Sequence, residues 1–401
     1  MTSQIVLMNG FGVALASDSA MTVGGRTRTY ETAEKIIPLP EPHRMAVMIS
    51  GNSRIGNLPY SLLLGEWTRQ LGPKALRSSK SYYEHFIDWL ESSSQLLAED
   101  TEQTQVLRFV ESRLGQISEV YSSIKDDNPE FEISELLDDW TAEVREYNRL
   151  EGLSEPDALN LLTKFGQQID ERVSYYLRDV ENIDNYRSLI STYFAAFYSS
   201  TWMKNSTLVF VGFGENDILP SYLQIDISGL AQGRVTHKLS DSWSLTANTN
   251  PLWGICLPAQ RDAIDQYLTG NDRKLVDEIV NNALEGLSEL GEKLVEHLNL
   301  ATDEAENLKT LMNEHHAGLD NRLSEYVNKY AEDNYLVSLR QTMSSLSPAD
   351  LVDVARSLIE LQALRQTTTG QLNTVGGPID VALISPLTGF EWIRHKTILK
   401  R

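Results

Sequence analysis

Segments with strand character occur in three blocks of this chain, at its start, in its middle and near its end, and two long stretches of helical periodicity separate them. A strand cannot satisfy its own backbone hydrogen bonds, so blocks this far apart in sequence must meet in space. Residues 4–9 and 12–18 read as a hairpin around Asn9-Gly10, a dipeptide suited to positive φ. A second strand pair is expected over Lys35 to Leu39 and Arg44 to Ile49, joined through the turn containing Pro38, Pro40 and Pro42. From Asn57 the period changes, with Leu58, Leu62, Leu63, Trp67 and Leu71 spaced for one helical face. Helix is expected through segments near 80–98, 103–124, 132–150 and 155–200, punctuated by Pro129 and Pro156. Strands return at 207–213, at 221–227 and from Arg234 to Leu239. Helices resume from Pro258 to about Leu346. Ser347 then caps a last one that carries Leu351, Val354, Leu358 and Leu361 on one face. The chain closes with a hairpin, Ile379 to Ser385 and Phe390 to Ile393, around Leu387-Thr388-Gly389. This segregated order predicts an α+β fold with helices packed on antiparallel sheets.

Composition narrows the function classes. The 401 residues are 41% hydrophobic, ample for a packed core, with no run of eighteen apolar residues and no basic-then-apolar leader. The expectation is a cytoplasmic protein without a membrane partner. Cys256 is the only cysteine, so an intrachain disulfide or a cysteine-based zinc cluster is excluded, and its apolar surroundings predict a buried, inert thiol. A formal net charge of -21 argues against a nucleic-acid footprint. Residues 81–200 hold 25 acidic and 9 basic side chains, against 5 and 9 in residues 1–80, so the excess sits on the helical block and reads as a solvated surface.

The residue types with the most chemistry lie at the N-terminus. Thr2 follows the initiator methionine, a position small enough for aminopeptidases to remove Met1, and a terminal threonine carries a hydroxyl nucleophile and an amine base on one residue. A free α-amine titrates near pH 7.7 to 8.0 and is partly neutral in the cell. A lysine ammonium beside it would push that value down and improve the base. Lys35 is the candidate for that role, with Asp18 pairing to it and holding it in place. Gly51, at the turn after Met45-Ala46-Val47-Met48-Ile49, is the candidate supplier of a backbone N–H for an oxyanion.

These residues resemble the N-terminal part of the proteasome β-subunit and HslV peptidase family, members of the N-terminal nucleophile hydrolases. Thr2, Asp18 within Gly12-Val13-Ala14-Leu15-Ala16-Ser17-Asp18, and Lys35 match the family's catalytic positions, Lys35 displaced by about one residue, and Ile49-Ser50-Gly51 resembles its oxyanion turn. Leu208 to Asp226 with Ser228-Gly229 is similar to the family's central hairpin, and Gly376-Gly377-Pro378-Ile379-Asp380-Val381-Ala382 to a strand near its C-terminus. The chain departs from the pattern where an aspartate and a serine support the nucleophile, since Leu372 and Val375 stand there, and at a supporting Gly-Ser-Gly loop, replaced by Thr246-Ala247-Asn248-Thr249-Asn250.

The resemblance implies a four-layer αββα sandwich in one domain. Its core would be 1–71, 205–270 and 347–396, with helical elaborations at 72–200 and 271–346. It further implies a threonine-type endopeptidase acting on polypeptide without metal or organic cofactor, in a homo-oligomeric ring or barrel, with an ATP-dependent unfoldase as partner. The rivals are a catalytically silent scaffold or shell subunit and an amidase for non-peptide substrates. His315 and His316 are adjacent and point about 100° apart on a helix, so they do not form the i, i+4 pair of helical zinc sites. Gly10-Phe11-Gly12 reads as a hairpin turn, since no helix follows it to hold a phosphate.

Overall fold

The computed structural model describes residues 2–23, 28–30, 33–93, 99–147, 150, 153–200, 205–298, 310, 319, 322–369 and 375–396. Its strands are β1 (Gln4–Asn9), β2 (Gly12–Ser17), β3 (Met21–Val23), β4 (Arg28–Tyr30), β5 (Ile36–Pro38), β6 (Arg44–Gly51), β7 (Arg54–Ile55), β8 (Leu58–Pro59), β9 (Ser206–Phe213), β10 (Ser221–Ala231), β11 (Arg234–Ser244), β12 (Trp253–Cys256), β13 (Asp380–Ser385) and β14 (Gly389–Arg394). The helices are α1 (Tyr60–Leu71), α2 (Ser79–Ser92), α3 (Glu99–Asp127), α4 (Ile133–Glu146), α5 (Glu155–Lys164), α6 (Gly166–Tyr176), α7 (Arg187–Tyr198), α8 (Asp262–Thr269), α9 (Arg273–Leu298), α10 (Val337–Ser345) and α11 (Pro348–Thr368). No described helix is long and apolar enough to cross a membrane.

The fold is mixed α+β, with antiparallel sheets and helices as the segment order predicts. The three strand blocks interleave into two five-stranded sheets, ordered β12-β1-β2-β13-β14 and β11-β10-β9-β6-β5. In the first, β1 and β2 pair from Gln4↔Ser17 to Asn9↔Gly12, and the C-terminal β13 lies on the free side of β2 with Asp380↔Ser17. In the second, β6 pairs β9 from Arg44↔Phe213 to Gly51↔Ser206, and β9 pairs β10 with Ile227↔Ser206.

Every residue of β1, β2 and β9 is buried, so these strands are covered on both faces, and alternate side chains enter different cores. Val6, Met8, Val13 and Leu15 of the first sheet share one apolar cluster with Ala46, Met48, Val209, Val211 and Phe213 of the second. The other face of the first sheet packs Ile5, Leu7, Ala14 and Ala16 against Ile264 of α8 and Leu351, Ala355 and Ile359 of α11. The other face of the second packs Val47, Ile49, Leu208 and Phe210 against Leu64 and Trp67 of α1 and Phe86 of α2. Helices α3 to α7 close around a separate core built on Val110, Leu114, Leu137, Leu162 and Phe194, reached from the sheets by Ala231.

One local expectation changes, and two further elements are added. The stretch 155–200 is not one helix. Phe165 ends α5, and Asn182, at φ 53, precedes a short 3-10 turn that leads into α7. The apolar run around Cys256 is a strand, because β12 pairs with the edge of β1, Val6↔Cys256. A short hairpin, β3 with β4, follows the first. Ser347 does cap α11, its hydroxyl accepting from the Asp350 N–H.

Phe210 is fully buried and its ring meets those of Trp67, Phe86 and Tyr83. Truncation by Phe210→Ala is expected to cost about 3–5 kcal/mol in chemical denaturation. A loss below about 1 kcal/mol would show that this interface is not a packed core.

Candidate active site

Asp18 is the first residue past the end of β2, where the ladder with β1 continues for one more bond, Asp18 N–H to the Ser3 carbonyl at 3.2 Å. Its carboxylate is almost fully buried and gathers four donors. Oδ1 accepts from the Ser3 N–H at 2.9 Å and from Lys35 Nζ at 2.8 Å, and Oδ2 from the N–H groups of Ala20 and Gly376, each at 3.2 Å. Such a set satisfies a carboxylate that burial would otherwise penalise heavily. Lys35 is equally enclosed. Burial pushes its ammonium below the ordinary lysine value, and Asp18 works in the opposite direction.

Lys35 immediately precedes β5, and its carbonyl accepts from the Ile49 N–H at 2.9 Å. The Gln4 side chain reaches from β1 to the Ile49 carbonyl at 2.7 Å, tying the first sheet to the second beside the Asp18–Lys35 pair. Thr2 is half-buried and is held by its carbonyl, which accepts from the Gln260 N–H at 2.9 Å. Gln260 is fixed in turn by Gln366 Nε2 at 2.6 Å. The Thr2 hydroxyl has no hydrogen-bond partner among the described residues. Ser3 places Thr2 one peptide unit from the Asp18 carboxylate.

Gly51 ends β6 at φ +76, and a Cβ there would stand 2.6 Å from the Asn205 carbonyl. Only glycine suits that conformation and that approach. Thr2, Asp18, Lys35 and Gly51 thus lie towards one end of the two sheets.

Where sequence reasoning looked for supporting side chains, the structure supplies main chain. Val375 is buried, and its N–H donates to Gln366 Oε1 at 2.9 Å, while the next N–H, of Gly376, reaches Asp18. Leu372 lies outside the described residues, as do His315 and His316. The segment Thr246 to Asn250 is a largely exposed turn bonded to itself, Thr246 N–H to Thr249 Oγ1 at 2.9 Å.

The sequence reading missed a second buried pair. Lys396 donates from Nζ to Asp380 Oδ2 and from its N–H to Oδ1 at 2.9 Å, and Glu34 stands 3.7 Å from the same ammonium. Lys396 and Asp380 act on Lys35 in opposite senses, Lys396 lowering its proton affinity. The only sequence signal was Asp380 opening a buried strand. Cys256 does not compete as nucleophile, since burial first and then Asp241 push its thiol up to about 12.

No family model matches the chain, and no curated protein matches it. Among solved structures it is similar to Anbu (ancestral beta-subunit) from Yersinia bercovieri, at 9% identity and a TM-score of 0.30, over 99% of this chain and 88% of that one. A second is Anbu from Hyphomicrobium sp. strain MC1, at 9% identity and a TM-score of 0.30, over 98% and 87%. At that level the likeness says nothing of activity or of site residues, which rest on the geometry. The resemblance to the proteasome β-subunit and HslV peptidase family is corrected by these findings: no family model supports it, and these two structures are Anbu proteins with nothing specific to HslV. The matching motifs have a general physical cause. Gly12 to Asp18 and Ile379 to Ile384 are buried inner strands bounded by turns, and such strands converge on small and branched apolar residues.

Removing one member of a buried, hydrogen-bonded pair strands the other, at roughly 3–5 kcal/mol. Asp18→Ala is expected to lose stability in that range by denaturant titration, and a loss under about 1 kcal/mol would contradict the burial. Lys35 also sets a pH dependence. With its folded value depressed, the unfolded chain holds more protons between the folded and ordinary lysine values, so stability rises with pH through that alkaline window. The slope should flatten in Lys35→Met; an identical slope in both proteins would assign the dependence elsewhere.

Proposed function

We propose that the protein is a threonine-type amide hydrolase acting on peptide bonds, with Thr2, exposed by removal of Met1, as nucleophile. The observation that carries this reading is the Asp18 carboxylate, which holds the Ser3 N–H and Lys35 Nζ on a single oxygen and so fixes the peptide next to Thr2 beside a buried ammonium. In this reading Thr2 Oγ1 attacks the carbonyl carbon and its proton passes to the α-amine of the same residue. The tetrahedral oxyanion is met by backbone N–H at the Gly51 turn, and the collapse expels the leaving amine with that proton. Water then hydrolyses the ester on Thr2 by the same proton route. Lys35 keeps the α-amine neutral by like-charge repulsion, and Asp18 keeps Lys35 in place.

The architecture that suits this chemistry is a four-layer αββα sandwich, the two sheets facing each other and helices outside. The shared apolar cluster between the sheets and the helix-covered outer faces support it. A homo-oligomer is part of the same proposal, supported by the exposed Leu275, Ile279, Leu290 and Leu294 along α9. The second reading, a catalytically silent assembly subunit, is favoured by one observation, the apolar Val375 beside Gly376 where a polar side chain would support the nucleophile.

Thr2→Ala separates the two. Peptide hydrolysis should fall by at least roughly a thousandfold, Thr2→Ser should retain measurable activity, and intact mass of the active protein should show Met1 absent. Unchanged hydrolysis in Thr2→Ala, or an active protein that keeps Met1, would end the hydrolase reading.

A further inference from the structure

A cavity of about 390 Å³ opens where Asn52 follows Gly51, bounded by the ends of β6, β9 and β10 and by α3. Its volume is that of a small-ligand or side-chain pocket. Among the described residues its lining carries three arginines, Arg54, Arg108 and Arg113, and no carboxylate. In a chain with a formal net charge of -21 that is a local reversal of sign. The reversal is sharper within the helical block, because its other arginines and lysines mostly find acids. Arg145 pairs with Glu155, Lys164 with Glu102, Arg172 with Glu111, Arg178 with Asp179, and Arg187 with Asp170 and Asp184. Arg108 and Arg113, five residues apart on α3, have no carboxylate partner among the described residues; Arg113 instead lies over the Phe197 ring at 4.5 Å, which holds its position without neutralising it.

A second observation points into the same space. Ser228 lines the cavity, is buried, and its Oγ has no hydrogen-bond partner among the described residues. A buried hydroxyl is normally satisfied, so an unfilled one in a cavity lined by three arginines without a carboxylate partner among the described residues, Arg113 bonding only the Tyr193 hydroxyl, marks a place built for an acceptor. The cavity also lies next to the reacting end of the sheets. Gly51 pairs with Ser206 and Ser206 with Ile227, both lining residues, and neighbouring strands are about 4.8 Å apart, so the pocket is within one long side chain of the Gly51 turn.

Resting on the reading of Thr2 as a peptide-cleaving nucleophile, we infer that this cavity is a subsite for an acidic residue of the substrate peptide, its carboxylate held by Arg54, Arg108 and Arg113 and the Ser228 hydroxyl. Helix α3 then does more than enlarge the fold, since it supplies two of the three guanidinium groups of a pocket whose floor is the second sheet. The preferred substrate is an acidic peptide. The acid-rich surface of the helical block would discourage such peptides everywhere except at this opening.

The test separates binding from chemistry. Full-length Thr2→Ala protein is titrated with labelled peptides that differ only in carrying Glu, Gln or Lys at one scanned position. The Glu peptide should bind at least roughly tenfold tighter than the Gln peptide, the discrimination expected of one or two charged hydrogen bonds. Arg54→Gln and Arg108→Gln are at exposed side chains and should leave the melting temperature unchanged. Each should remove most of the Glu preference over Gln. Equal affinities for Glu and Gln peptides, or a Glu preference untouched by both arginine variants, would overturn the inference. So would arginine-dependent binding of inorganic phosphate without any preference for the acidic peptide. A Glu preference in Thr2→Ala protein whose parent cleaves no peptide would sustain the subsite and sink the Thr2 chemistry.

Discussion

One buried carboxylate organises this molecule. Asp18 receives hydrogen bonds from the start of the first strand, from the turn after the second, from the segment that enters the C-terminal hairpin, and from a lysine at the edge of the second sheet. The Gly376 donor comes from 358 residues away in sequence, so the bond forms only when the first and last strand blocks have met. Desolvating a carboxylate and an ammonium is costly, and the four donors together with the ion pair offset that cost. The buried carboxylate is therefore satisfied only when the two ends of the chain have come together, and its partners are fixed in number and direction. An apolar residue could fill the same volume but would leave the Ser3 and Gly376 N–H groups without an acceptor.

Around that carboxylate the structure separates into a rigid platform and an elaborated rim. The two sheets meet across an apolar layer and carry helices on their other faces, which pins the ends of β1, β2 and β6 relative to one another. Gln4 adds a polar tie between the sheets at the level of the pair. The helices α3 to α7 hold together through a core of their own and meet the sheets along β10, so they can reshape the approach to the Gly51 turn while the platform stays the same. The second pair, Asp380 with Lys396, extends the charged layer towards the C-terminal hairpin and sets part of the field felt by Lys35.

How much of this is legible in the sequence follows from the range of the interactions. The first hairpin and the Ser347 cap are local, and Asn9-Gly10 and Ser347-Pro348 announce them. Asp18 and Lys35 stand out because a carboxylate and an ammonium flank apolar strands at a fixed separation. Strand β12 is only four residues long and exists by pairing with β1 some 250 positions earlier, a partnership no local pattern encodes. The support of Asp18 by Gly376 N–H is invisible for another reason, since main-chain donors carry no residue signature. Val375 reads as a missing polar group only by comparison with the resembled family, a comparison that looks at side chains and not at the main-chain N–H groups of Val375 and Gly376. The arginine pocket escaped because Arg54 on β7 is more than fifty residues from Arg108 and Arg113 on α3, and those two sit in a block whose net charge has the opposite sign.

The central claim is that the Asp18–Lys35 pair tunes the amine of Thr2. It is tested most directly by titrating that amine by NMR in processed protein carrying ¹⁵N-labelled threonine, alongside Lys35→Met. A midpoint below the roughly 7.7 to 8.0 of a free α-amine, returning towards that range when the ammonium is removed, is the expected result. The same unshifted midpoint in both proteins, or a chain that keeps Met1 and so has no threonine amine to titrate, would contradict it.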